Sequence, residues 1–150
     1  MNFTLSLDAN DARLAGLAAW LDSGPDNAFI YLFANDQPVV PGDSAGGSPV
    51  AQITLAKPCG SVIAHELVFE QLDAGADQIV TQGGVKWARL YTAAGVWAAD
   101  GDASDMDGNV TEPDGSLTPV VGGGAFKISG TTGTLFYAGA LAILGELKMV

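Results

Sequence analysis

The chain has 150 residues, 48% of them hydrophobic and 15% charged, with 20 glycines and 7 prolines. That length fits one domain burying roughly 70% of its unfolded surface, and the composition argues against disorder. Seventeen Asp and Glu against six Lys and Arg give a net charge of −11, which sets the surface against nucleic acid and anionic membranes as partners.

No apolar run is long enough to cross a bilayer. The opening Met1–Leu5 lacks a basic region and a long apolar core, so no secretory signal is expected there. Cys59 is the single cysteine, which excludes an intrachain disulfide and fits a reducing compartment. The acidic excess reads first as a solubility device that keeps strand edges apart, and second as a means of docking on a basic partner.

Phe3, Leu5 and Leu7 alternate with Asn2, Thr4 and Ser6, which predicts a short N-terminal strand. The period then changes. Leu14, Leu17, Ala18 and Leu21 form one stripe, predicting a helix over residues 9–22. Asp8 is its expected N-cap, and Gly24-Pro25 stops it. Trp20 flanks the stripe and is expected to pack at its edge. Ala28–Ala34 is continuously apolar and aromatic, so it reads as a central strand covered on both faces, one of them by the helix. The stretch 35–49, rich in Pro, Gly, Asp and Ser, reads as a long loop.

Val50–Ala56 and Ser61–Leu72 are predicted strands around a Lys57-Pro58-Cys59-Gly60 turn. His65 falls on the apolar register of the second, as a half-buried ring bonded to backbone. Trp87–Tyr91 and the strand beginning near Trp97 read as a hairpin across Thr92–Gly95, with Trp87, Arg89 and Tyr91 on one face. Residues 100–117 read as an acidic loop. Thr118–Val121, Gly124–Ser129 and Thr134–Val150 complete the chain as strands, the last broken near Gly139. The fold class is mainly β (α+β): an antiparallel β-sandwich or jelly-roll-like domain with one N-terminal helix.

Catalytic chemistry finds no footing. His65 is the single histidine, no serine sits in a nucleophile elbow, and no pair of acids stands out for glycoside hydrolysis. Gly122-Gly123-Gly124 is not followed by Lys-Ser/Thr, so it is a turn and not a phosphate loop. The chain is read as a non-enzyme without cofactors, with no catalytic residues. Asp105, Asp107, Asn109 and Asp114 have part of the spacing of a calcium loop. With Gly108 as its glycine, however, position one is Ala103, which cannot ligate, so an EF-hand is excluded. Excess calcium is therefore expected to leave the melting temperature unchanged. Trp20, Trp87, Arg89, Tyr91 and Trp97 are the candidate interface or binding residues. Arg89 can stack on its aromatic neighbours or pair with a nearby Asp.

The order of blocks resembles a family of small virion-associated structural proteins of tailed bacteriophages. The helix Asp11–Gly24 runs into Phe29-Ile30-Tyr31-Leu32-Phe33. Then come Gln37-Pro38-Val39-Val40-Pro41-Gly42, Ile53–Pro58, Trp87-Ala88-Arg89-Leu90-Tyr91 with Gly95, and Asp100-Gly101-Asp102. The likeness spans about residues 9–104; the stretch 105–124 and the apolar C-terminal strand depart from it. It implies a virion component made in the host cytoplasm: a head decoration or cement protein contacting the major capsid protein or other virion proteins. A homo-oligomer is expected, a trimer favoured, with no nucleic acid and no membrane. Two alternatives are a tail or head–tail connector component and, from another class, a carbohydrate- or calcium-binding β module.

Overall fold

A computed structural model describes residues 3–150. One helix, α1 (Leu7–Leu21), precedes twelve strands. They are β1 (Phe29–Phe33), β2 (Ala51–Ile63), β3 (Glu66–Gln71), β4 (Gly83–Gly84), β5 (Trp87–Tyr91) and β6 (Trp97–Ser104). There follow β7 (Asn109–Thr111), β8 (Leu117–Pro119), β9 (Phe126–Ser129), β10 (Leu135–Phe136), β11 (Ile143–Glu146) and β12 (Lys148–Met149). The mainly β, α+β class with one N-terminal helix is the observed one.

Eight strands form one sheet in the order β11-β9-β6-β5-β1-β2-β3-β12, antiparallel except for the β6–β9 pair. β11 and β12 occupy opposite edges, yet only Leu147 separates them in the chain. The C-terminal segment therefore draws the two edges together and nearly closes the sheet. Gln71 in β3 reinforces the seam: its amide donates to Ala142 O at 3.0 Å and accepts from Leu144 N at 2.9 Å. Closure removes free edges that an acidic, apolar-rich chain would otherwise have to guard.

Ile30, Leu32, Ile53, Leu55, Leu67 and Leu90 face inward as one core, joined by Leu14, Ala18 and Leu21 of the helix. The stripe predicted for the helix is thus the buried one. The helix starts earlier than expected, because Ser6, not Asp8, is the cap: its Oγ accepts from Ala9 N at 3.1 Å. The helix packs on β2 and β3, so it flanks the central strand instead of covering it. It runs from the β2–β3 turn, where Asp11 meets His65, to the β5–β6 turn, where Ala93 N donates to Leu21 O at 2.7 Å. Both turns lie at the same end of the sheet, and the helix closes that end.

Four further expectations are corrected. Residues 3–5 form no strand, and Leu7 belongs to the helix; Met1 and Asn2 lie outside the described residues. Residues 57–60 are not a turn. They belong to the continuous strand β2, where residues 56–59 bulge opposite Glu70 alone. The real turn is Ala64-His65, both left-handed at φ +50° and +67°. His65 is consequently exposed at a hairpin tip, its Nδ1 3.0 Å from the Asp11 carboxylate, not a half-buried ring bonded to backbone. Finally, half of 100–117 is strand and not loop, since β6 runs to Ser104, β7 spans Asn109–Thr111 and β8 starts at Leu117. The turn from β6 into β7 is set by Asp105, whose Oδ1 accepts from the N–H groups of Asp107 and Asn109, an Asx turn that propensity rules miss when acids are read as solvent-exposed charge. Residues 35–49 form no helix or strand, as expected.

Candidate functional site

The outer face of β1, β5 and β6 gathers most of the residues singled out from the sequence. Register sets this arrangement. Tyr31 lies opposite Arg89, Phe33 opposite Trp87, and Arg89 opposite Asp100. Alternation then puts Phe29, Tyr31, Phe33, Trp87, Arg89 and Tyr91 on one side. Phe33 and Trp87 stack at 4.3 Å, Phe29 and Tyr91 at 4.9 Å, and Tyr31 meets Tyr91 edge-on at 5.3 Å. Trp87 is 1% exposed, so its ring is core, not a platform. Its indole N–H has no hydrogen-bond partner among the described residues. Phe29, Tyr31 and Tyr91 are half-buried and form the accessible part of the cluster.

Arg89 is the hub. Nε donates to Asp100 Oδ1 at 2.6 Å and Nη2 to Asp100 Oδ2 at 2.8 Å, a bidentate fork. Nη2 also donates to Asp43 O at 2.8 Å, and the guanidinium lies 5.3 Å over the Trp87 ring. Asp100 accepts two further hydrogen bonds, from Gly42 N at 2.9 Å and Trp97 Nε1 at 3.0 Å. Both sides of the pair are buried, the Arg89 side chain 6% exposed and Asp100 0%. The Asp partner expected for Arg89 is present, but the pair is internal where a surface one was expected. Burial alone would raise the Asp100 carboxyl; the hydrogen bonds from Arg89, Gly42 and Trp97 outweigh it and hold the group below its ordinary value. The hydrogen bond to Asp100 in turn raises Arg89.

The chemistry of this cluster is mechanical. Asp43 and Gly42 belong to the 35–49 loop, so the ion pair pins that loop over the sheet. Trp97 lies against Gly42, where a Cβ would meet its ring at 3.2 Å, and Gly42 has φ +85°. A glycine is needed at that point for both reasons. Sequence reading named Arg89 and Trp97 but missed Asp43 and Gly42, because nothing local in a Pro/Gly/Ser stretch marks which backbone groups a distant guanidinium will reach.

The remaining candidates lie apart. Trp20 sits on the helix at 45% exposure. Asp105 is occupied by its own Asx turn, and Asp114 accepts from Ser116 N at 2.9 Å and Ser116 Oγ at 2.6 Å. Among the described residues no group of three or more His, Cys, Asp or Glu is placed to hold a metal ion. Among them, too, no helix is long and apolar enough to cross a membrane.

Cys59, expected in a turn, is instead fully buried in β2. Burial, with Asp22 adding to it, pushes its thiol up to about 12. Asp22 accepts from Cys59 N at 3.0 and 3.1 Å, tying the helix C-terminus to the bulge. A buried protonated thiol is a poor nucleophile. A thiol reagent should therefore leave the native protein unmodified over a time that fully labels the urea-unfolded chain; equal rates in the two states would contradict this burial.

A groove of about 480 Å³ opens at the end of the sheet opposite the helix, lined by Ala34, Val110, Pro113, Pro119 and Val120. The β7–β8 hairpin forms one wall, and the strand junctions at Ala34 and Gly84 form the other. No family model, no curated protein and no solved structure matches this chain.

Proposed function

We propose that this chain is a structural component of a tailed-phage virion, a capsid decoration or cement protein that stabilises the head through protein–protein contacts. The observation that carries the reading is where apolar side chains remain outside. Phe3 is 86% exposed, Val39 99% and Val121 97%. Single exposed apolar residues are ordinary. These three, however, lie outside the strands, on the N-terminal segment, the 35–49 loop and the turn after β8, and nearly fully exposed apolar side chains so placed are available for contacts with neighbours. The polar machinery agrees: the best-built cluster, Arg89 with Asp100, is spent on holding a loop. The block order resembling virion-associated proteins supports the same reading.

Protein quantification on purified virions tests it. A stoichiometric copy number is the expected result, and absence from the particle overturns the proposal. A carbohydrate-binding reading has one observation in its favour, the half-buried rings of Phe29, Tyr31 and Tyr91. A blank glycan array removes it.

A further inference from the structure

A second groove, of about 380 Å³, runs between α1 and β2 and is lined by Ala15, Ala19, Pro58, Val62, Leu67 and Asp22. From Ala15 to Asp22 it extends about 10 Å, at ~1.5 Å per helical residue. Asp22 is the one charged side chain in that lining. Both its oxygens accept from the same donor, Cys59 N, at 3.0 and 3.1 Å. Among the described residues no Lys, Arg or His side chain pairs with it. Asp22 is also the C-cap of α1, whose last turn holds no basic residue. A helix C-terminus carries partial negative charge, so the carboxylate adds to a field that already favours a cation. An apolar trough that ends in uncompensated negative charge selects an apolar stem with a positive head.

The chain's own six basic residues are engaged elsewhere. Lys57 Nζ, just past the helix, donates to Gly24 O and Asp26 O at 2.7 and 2.9 Å. Lys86 pairs with Asp36, Arg89 with Asp100, and Lys148 with Glu66 and Glu146. Arg13 is held by Asn10 and Val150 O, and Lys127 by Gly123 O. A second copy presents the same engaged set and the same net charge of −11, so its approach is opposed. A different protein with unpaired basic side chains is attracted instead. Lysine fits better than arginine, because both Asp22 oxygens already share one N–H and are not free for a planar fork, whereas an ammonium needs only a point of negative charge.

We propose that a lysine side chain of a partner protein lies in this groove, its stem on Ala15, Ala19, Pro58 and Val62 and its ammonium at the Asp22 carboxylate. The proposal rests on the assembly reading above and gives the chemistry of one contact, a basic partner surface. At this point the acidic excess of the chain is a docking charge and not only a solubility device.

An NMR titration of the full chain tests it, with lysine blocked at both backbone ends as the probe. Blocked norleucine, which has the stem without the head, and blocked Nε-acetyl-lysine, which has an uncharged head, are the controls. The lysine probe should give saturable amide shifts confined to residues 15–22 and 58–62, and the controls should give none. Asp22→Asn keeps an oxygen for Cys59 N and should weaken lysine binding by at least about fivefold. Ala19→Leu keeps the carboxylate but fills the trough, and should weaken binding as well. An equal response to norleucine, undiminished binding by the variants, or shifts away from the groove overturns the proposal. So does a response to n-butylammonium without one to blocked lysine, which would make the occupant a free amine. None of these touches the virion reading, which falls only if the chain is absent from particles.

Discussion

Replacing Arg89 by alanine is expected to destabilise the protein by about 3–5 kcal/mol, because it leaves the fully buried Asp100 carboxylate without its counter-charge. For a chain of this length that corresponds to a fall of about 10 °C in Tm. The variant also loses the hydrogen bond to Asp43 O, so amide exchange in residues 35–49 should accelerate. Arg89→Lys should recover little of the loss, since an ammonium cannot reproduce the fork on both oxygens of Asp100. The double variant Arg89→Met, Asp100→Leu should be more stable than Arg89→Ala, as both charges leave together. If Arg89→Ala melts within about 1 °C of wild type, the pair is not the clamp described above.

The same pair sets an acid limit. Asp100 titrates lower in the folded protein than in the unfolded chain, so its contribution is fully present above the unfolded value of about 3.9 and is lost as pH falls through the folded value. Stability in wild type should therefore drop steeply below about pH 4. The Arg89→Met, Asp100→Leu double variant should show a shallower fall over that range. Equal slopes would mean that other carboxylates dominate acid unfolding.

Trp87→Ala is the second large effect, a loss of about 3–5 kcal/mol from deleting a buried indole stacked at 4.3 Å on Phe33. Trp87→Phe should cost far less, within about 1 kcal/mol of wild type. It keeps an aromatic ring for Phe33 and removes an indole N–H that has no partner among the described residues, which offsets part of the lost volume. A role in ligand binding would give the opposite signature, with stability kept and binding lost. Chemical denaturation of the three proteins separates the cases, and a near-wild-type midpoint for Trp87→Ala would remove Trp87 from the core account.

Period and punctuation in the chain were enough to determine the helix stripe Leu14-Leu17-Ala18-Leu21, the apolar strand around Ile30 and Leu32, the Trp87 hairpin and the mainly β class. Each is a local property: a helix or strand that must bury one face writes its period directly into the residues. The hairpin even implied an Asp partner for Arg89, because cross-strand neighbours follow from the turn.

Only the tertiary structure decided the rest. Pro58 and Gly60 carry the composition of a turn but lie within β2, Pro58 in its bulge and Gly60 paired with Phe69, while Ala64-His65, with no turn composition, takes left-handed angles because β3 must fold back there. The near-closure of the sheet depends on β12 pairing with β3, with Lys148 opposite Val68 about 80 residues earlier, and no local pattern encodes it. The burial of Asp100 and the reach of Arg89 to Asp43 are likewise long-range. They depend on which chain segments the closed sheet brings together, whereas periodicity reports only which side of its own segment a residue faces.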